Sequence, residues 1–92
     1  RWPQDALVAL GLGNAHYAQG DLDAAEASFA QGLLQQPDAV ALRMNLAAVQ
    51  LERGRACDAY AVLAAHQPAS TYPLASDYQA LQAQAQAVCF SH

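Results

Sequence analysis

Residues 6–37 read ALVALGLGNAHYAQGDLDAAEASFAQGLLQQP. A periodic, helix-like run ends at Gly20, a second begins within about two residues, and Gln36-Pro37 stops it. Glycine at such a point can take the left-handed conformation that reverses the chain after a helix, so the stretch predicts a helical hairpin. The first helix is expected over about residues 5–19, behind Trp2-Pro3, because proline is tolerated only in a helix's first turn. The second is expected over about residues 22–35, capped by Asp21, whose carboxylate can accept from orphan backbone N–H groups.

Working outward, the hairpin recurs. A shift of 34 residues lays Leu12 on Leu46, Ala15 on Val49, Tyr17 on Leu51, Gly20 on Gly54, Ala25 on Ala59 and Phe29 on Leu63. A fixed period of this size marks a repeat architecture. Asp38 is expected to cap a third helix ending near Arg53, and Gly54 to turn the chain into a fourth from about Ala56 to His66. Residues 67–73, with two prolines beside Ser, Thr and Tyr, read as a loop. A last helix over about residues 74–90 is rich in Ala and Gln and weakly amphipathic.

Composition agrees with this reading. The chain has 92 residues, 54% of them hydrophobic, including 23 Ala and 12 Leu, with only 4 Pro and 5 Gly. Ala costs no side-chain entropy in a helix and Gln very little, so an all-α fold is expected and an all-β one nearly excluded. The length suits one small domain over residues 1–92: a first repeat at about 6–39, a shortened second at about 40–67, the loop, and a closing helix. Eight acids against four Arg and no Lys leave a net charge of −4, which cannot neutralise several phosphates and argues against nucleic acid. No apolar run approaches the roughly 18 residues a membrane span requires, and nothing reads as a signal peptide. The first residue is Arg rather than Met, which suggests a processed protein or a domain of a longer one and leaves localisation open.

These residues resemble the tetratricopeptide repeat (TPR), whose pattern is W-x₂-L-G-x₂-Y, then A-x₃-F, then P. Leu12, Gly13, Ala25, Phe29 and Pro37 match at the right spacings, while Ala9 and His16 replace the Trp and Tyr. The second copy is a repeat by register, with Arg43, Ala47, Gln50 and Leu63 at the Trp, Gly, Tyr and Phe places. The resemblance covers Ala6 to about His66 and implies a right-handed α-solenoid of two helical hairpins plus a C-terminal capping helix. Gly13 and Ala47, with Ala25 and Ala59 opposite, would sit where paired helices approach most closely. The opening RWPQDALVALGLGNAHYAQGDL is also similar to the C-terminal TPR segment of bacterial exported papain-like cysteine-peptidase proteins.

No convergent nucleophile or titratable pair is visible, so no catalytic residue is assigned and the chain reads as no enzyme. His16 occupies a place where the family packs an aromatic ring; His66 and His92 lie at a helix end and the chain end. Cys57, Cys89 and the histidines lack metal-ligand spacing, and Gly11 to Asn14 lies inside a helix pattern rather than a phosphate loop, so no metal or cofactor is expected. The two cysteines admit two readings. They are small buried hydrophobes, or they are a Cys57–Cys89 disulfide, because antiparallel fourth and fifth helices would bring the two to within about one turn, ~5 Å. A disulfide would imply an oxidising compartment such as the periplasm or cell envelope.

In the family, the first helix of each repeat lines a concave groove for a peptide. Carried over position by position, the groove residues are Leu7, Leu10, Asn14 and Tyr17, then Met44, Asn45, Ala48 and Leu51. Asn14 and Asn45 match asparagines that grip a peptide backbone, an amide being able to donate and accept at once. Both are expected to face solvent in the free protein. Leu10 stands where a Lys would hold a terminal carboxylate, and Ser76 and Ala80 offer no cation, so the expected ligand is an apolar peptide or helix. The function expected is a non-catalytic scaffold with a protein or peptide partner. The alternative is a regulatory or substrate-presenting appendage of a larger bacterial enzyme, such as an exported cysteine peptidase. Two repeats and one helix fall short of the roughly three that usually stand alone, so a disulfide, a homodimer or a neighbouring segment of a parent chain is expected to support the module.

Overall fold

The computed structural model describes residues 3–66, 68 and 73–91, with residues 3–6 as helical backbone. Those residues form five helices and no strand: α1 (Pro3–Ala18), α2 (Leu22–Gln35), α3 (Val40–Glu52), α4 (Ala56–Ala64) and α5 (Ala75–Cys89). Gly20 and Gly54 have φ of 81° and 78° and close the α1–α2 and α3–α4 turns. Gln67 and residues 69–72 of the expected loop lie outside the described residues.

Each helix packs on the next in sequence, and α1 also touches α3 and α3 touches α5, whereas α2 and α4 make no such approach. The result is a slab 38 × 32 × 19 Å, about two helices thick. Its interior has two parts. Ala25, Phe29, Leu42, Leu46 and Val49 join the first hairpin to α3, and Ala47, Ala59, Leu63, Tyr78 and Ala85 join the second hairpin to α5. Ala25, Ala47 and Ala59 are fully buried, as their close-approach role requires. A Cβ on Gly13 would strike the Phe29 ring, and one on Gly32 would meet Ala9 and Leu42, so α1, α2 and α3 converge on a second glycine whose role the motif did not single out.

Asp21 caps α2, accepting from the Ala24 N–H at 3.2 Å. Asp38 does not cap α3. The capping position is Ala39, without a side-chain bond, and Asp38 lies one residue further out, away from the free N–H groups of the first turn. α4 ends at Ala64, two residues before the expected His66. Its last carbonyls are met from both sides. Arg43 of α3 donates to Val62 O at 2.7 Å and to Pro37 O at 2.8 Å, and the Tyr78 hydroxyl of α5 lies 2.7 Å from Leu63 O and 2.5 Å from His66 O. Two side chains thus satisfy acceptors that a nine-residue helix would otherwise leave bare.

Cys57, at the start of α4, and Cys89, at the end of α5, form a disulfide with Cα atoms 4.7 Å apart. The antiparallel placement of these helices brings the two cysteines together, as the topological reading anticipated.

Candidate functional site

α1 and α3 lie side by side and point the same way, since contacts between them advance together along both. Asn45 Nδ2 donates to Asn14 Oδ1 at 3.1 Å, and farther along the Tyr17 hydroxyl donates to the Glu52 carboxylate. Between the helices is a cleft of about 180 Å³ lined by Asn14, Tyr17, Phe29, Asn45, Ala48 and Val49.

Four of the eight groove residues expected from sequence, Asn14, Tyr17, Asn45 and Ala48, therefore come together at one place. Leu10 packs on the first core cluster, and Met44 and Leu51 pack on the second. Leu7 is 66% exposed and is not among the cleft residues. Two cleft residues were not expected there. Phe29 and Val49 are 1% and 2% exposed core side chains whose edges reach the cleft, and apolar spacing alone assigns such residues to the interior.

The two asparagines also differ from expectation. Asn14 is exposed but Asn45 is half-buried, and each is the other's partner. One Asn amide accepts and the other donates, which leaves the Asn14 N–H₂ donors and the Asn45 carbonyl without a protein partner among the described residues. Donor and acceptor side by side match the N–H and C=O of an extended peptide.

Electrostatically the cleft is close to neutral. The hydrogen bond to Glu52, with that carboxylate's charge, raises the Tyr17 pKa above its ordinary value, so the phenol stays protonated and is a poor nucleophile. Arg53 pairs with Asp23 and Glu26, Arg55 with Glu26, and Arg43 with the two carbonyls above, so every arginine among the described residues is engaged within the fold. Among the described residues, therefore, no arginine is left over for a ligand carboxylate. Among the described residues no thiol is free, and no three His, Cys, Asp or Glu side chains are placed to hold one metal ion. No helix among them is long and apolar enough to cross a membrane. Comparison of the chain with family models, with curated proteins and with solved structures gives no match.

Proposed function

We propose that the chain is a non-catalytic TPR-type scaffold, a right-handed solenoid of two hairpins and a capping helix, that holds an apolar peptide or protein segment against α1 and α3. The observation that carries this reading is the Asn14–Asn45 amide pair on a cleft whose floor is Phe29 and Val49. The contact pattern supports it. A stack whose odd-numbered helices touch while its even-numbered ones do not is expected to curve toward the odd side, which supports reading α1, α3 and α5 as the concave face. An extended segment there would set its backbone on the amides and an apolar side chain on Phe29, Ala48 and Val49.

The test is a peptide selected against the wild-type chain from a random display library, then titrated against wild type, Asn14→Ala and Asn45→Ala at low and high salt. Leaving a buried peptide group unpaired costs about 1–3 kcal/mol, so either variant is expected to bind five- to a hundredfold more weakly. Affinity is expected to be nearly constant with salt, because among the described residues the charge tied to a cleft residue is that of Glu52. Equal affinities for the three proteins, or a steep loss with salt, would move the binding site to another surface.

A further inference from the structure

The two ends of the array differ in chemistry. At one end, α5 shows solvent mainly Ser, Asp, Gln and Ala, with Gln79, Ala83 and Gln86 along its outer side. At the other, α1 exposes Val8 at 65% and Leu12 at 52%, and beside them runs an open groove of about 440 Å³ between α1 and α2 with no charged residue in its lining.

The internal repeat says what such a groove is for. At the 34-residue shift Val8 falls on Leu42, Leu12 on Leu46 and Ser28 on Val62. Leu42 and Leu46 are 1% and 4% exposed, and all three of these second-repeat residues pack on the first repeat's cluster of Ala25 and Phe29. Leu42 and Leu46 are thus buried in the second hairpin where Val8 and Leu12 are open in the first, while Ser28 and Val62 are both half-buried. The difference is that α3 has α2 in front of it, and among the described residues α1 has no helix there.

We propose that the Val8–Leu12 groove is a docking surface for one amphipathic helix of another hairpin, bearing a small residue and an aromatic four positions later, as α2 bears Ala25 and Phe29. A second copy of this chain is a poor occupant for a physical reason. Its own α2 stripe is consumed, Ala25 and Phe29 being 0% and 1% exposed, and its opposite end presents an α5 surface mainly of Ser, Asp, Gln and Ala, with apolar exposure at Leu74, Val88 and Phe90 near the helix ends. The surface is distinct from the Asn14–Asn45 cleft and does not depend on a ligand there.

The probe is a helix-stabilised synthetic peptide with the sequence of residues 21–35, titrated into the full chain by calorimetry, with a control peptide carrying Ala in place of Phe29. One-to-one binding is expected, lost with the control peptide and weakened about tenfold or more by Leu12→Glu, which sets a charge in the contact. Position 12 is exposed, so that variant is expected to keep the helical circular dichroism of wild type, and Asn45→Ala is expected to bind the peptide as wild type does. Absence of binding, or binding that Leu12→Glu leaves intact, would overturn the proposal. So would a peptide-free dimer in sedimentation that Leu12→Glu dissolves, because the groove would then belong to a second copy.

Discussion

A methyl group added to Gly13 would lie 2.6 Å from Phe29 Cδ1 and 2.7 Å from Cζ, inside the contact distance of carbon, whereas one added to Gly11 meets nothing within 4 Å. The two glycines share one helix and stand two residues apart, so they separate backbone entropy from packing. Gly11→Ala is expected to stabilise by up to about 1 kcal/mol, the helix preference of Ala over Gly. Gly13→Ala receives the same preference but must displace a ring that is 1% exposed and wedged among Leu42, Leu46 and Val49. Overpacking of this kind costs about 1–3 kcal/mol, so the net change is expected to be destabilising. Urea unfolding of both variants decides it. A Gly13→Ala chain as stable as Gly11→Ala would mean that the ring is not seated against α1.

Tyr78 shows how one side chain finishes two elements. Its single hydroxyl proton is shared between Leu63 O in the last turn of α4 and His66 O just beyond it, which fixes the start of α5 against them. Tyr78→Phe leaves those acceptors unmet in a buried place and is expected to cost about 1–3 kcal/mol. Burial raises the Tyr78 pKa above 10.0, an effect that the positive charge of Arg43 partly opposes. The folded chain then keeps a proton that the unfolded chain gives up near pH 10, so the stabilisation is complete below that pH and declines as pH rises toward the folded pKa. Tyr17, also raised, adds to the same decline. Urea midpoints between about pH 9 and pH 11 should therefore fall less steeply in Tyr78→Phe than in wild type. Equal slopes would mean that the hydroxyl is open to water.

The hairpins were legible because Gly20, Gly54 and Pro37 punctuate the chain, and a glycine after a periodic run has a backbone consequence that holds wherever the helices then pack. Arg43 and Tyr78 were not legible as caps. Val62 O and Leu63 O, which they meet, are carbonyls freed by the early end of α4, and that end is known only when its neighbours are in place. The candidate site was half legible. Asn14 and Asn45 could be placed on one face, but their mutual bond depends on the separation of α1 and α3. Met44 and Leu51 were assigned to the groove, yet a short array has so little interior that it draws them toward α5 and its cluster.

At the scale of the whole molecule, α5 is fastened to α4 at opposite ends, by Tyr78 near its start and by Cys89 at its finish. Between them lie small contacts, Ala59 and Ala85 among them, which bury little area each. A slab two helices thick has few such contacts to spare, and folded domains of this size are stable by only about 5–15 kcal/mol or less. The Cys57–Cys89 bond closes a loop with a sequence separation of 32. In the chain-entropy account that withdraws about 3–4 kcal/mol of freedom from the unfolded ensemble. Reduction is therefore expected to lower unfolding stability by about that amount, a large share of the total. The loss should also be directional. Once the sulfurs part, the end of α5 near Cys89 keeps the edge contact of Tyr60 with Phe90, itself 65% exposed, while the end near Tyr78 keeps a fully buried phenol. Amide hydrogen exchange in the reduced chain should accordingly accelerate most over residues 85–89 and least near Tyr78. Uniform acceleration along α5 would show that the disulfide acts only through the unfolded state, and unchanged exchange at both ends would show that packing alone holds the helix.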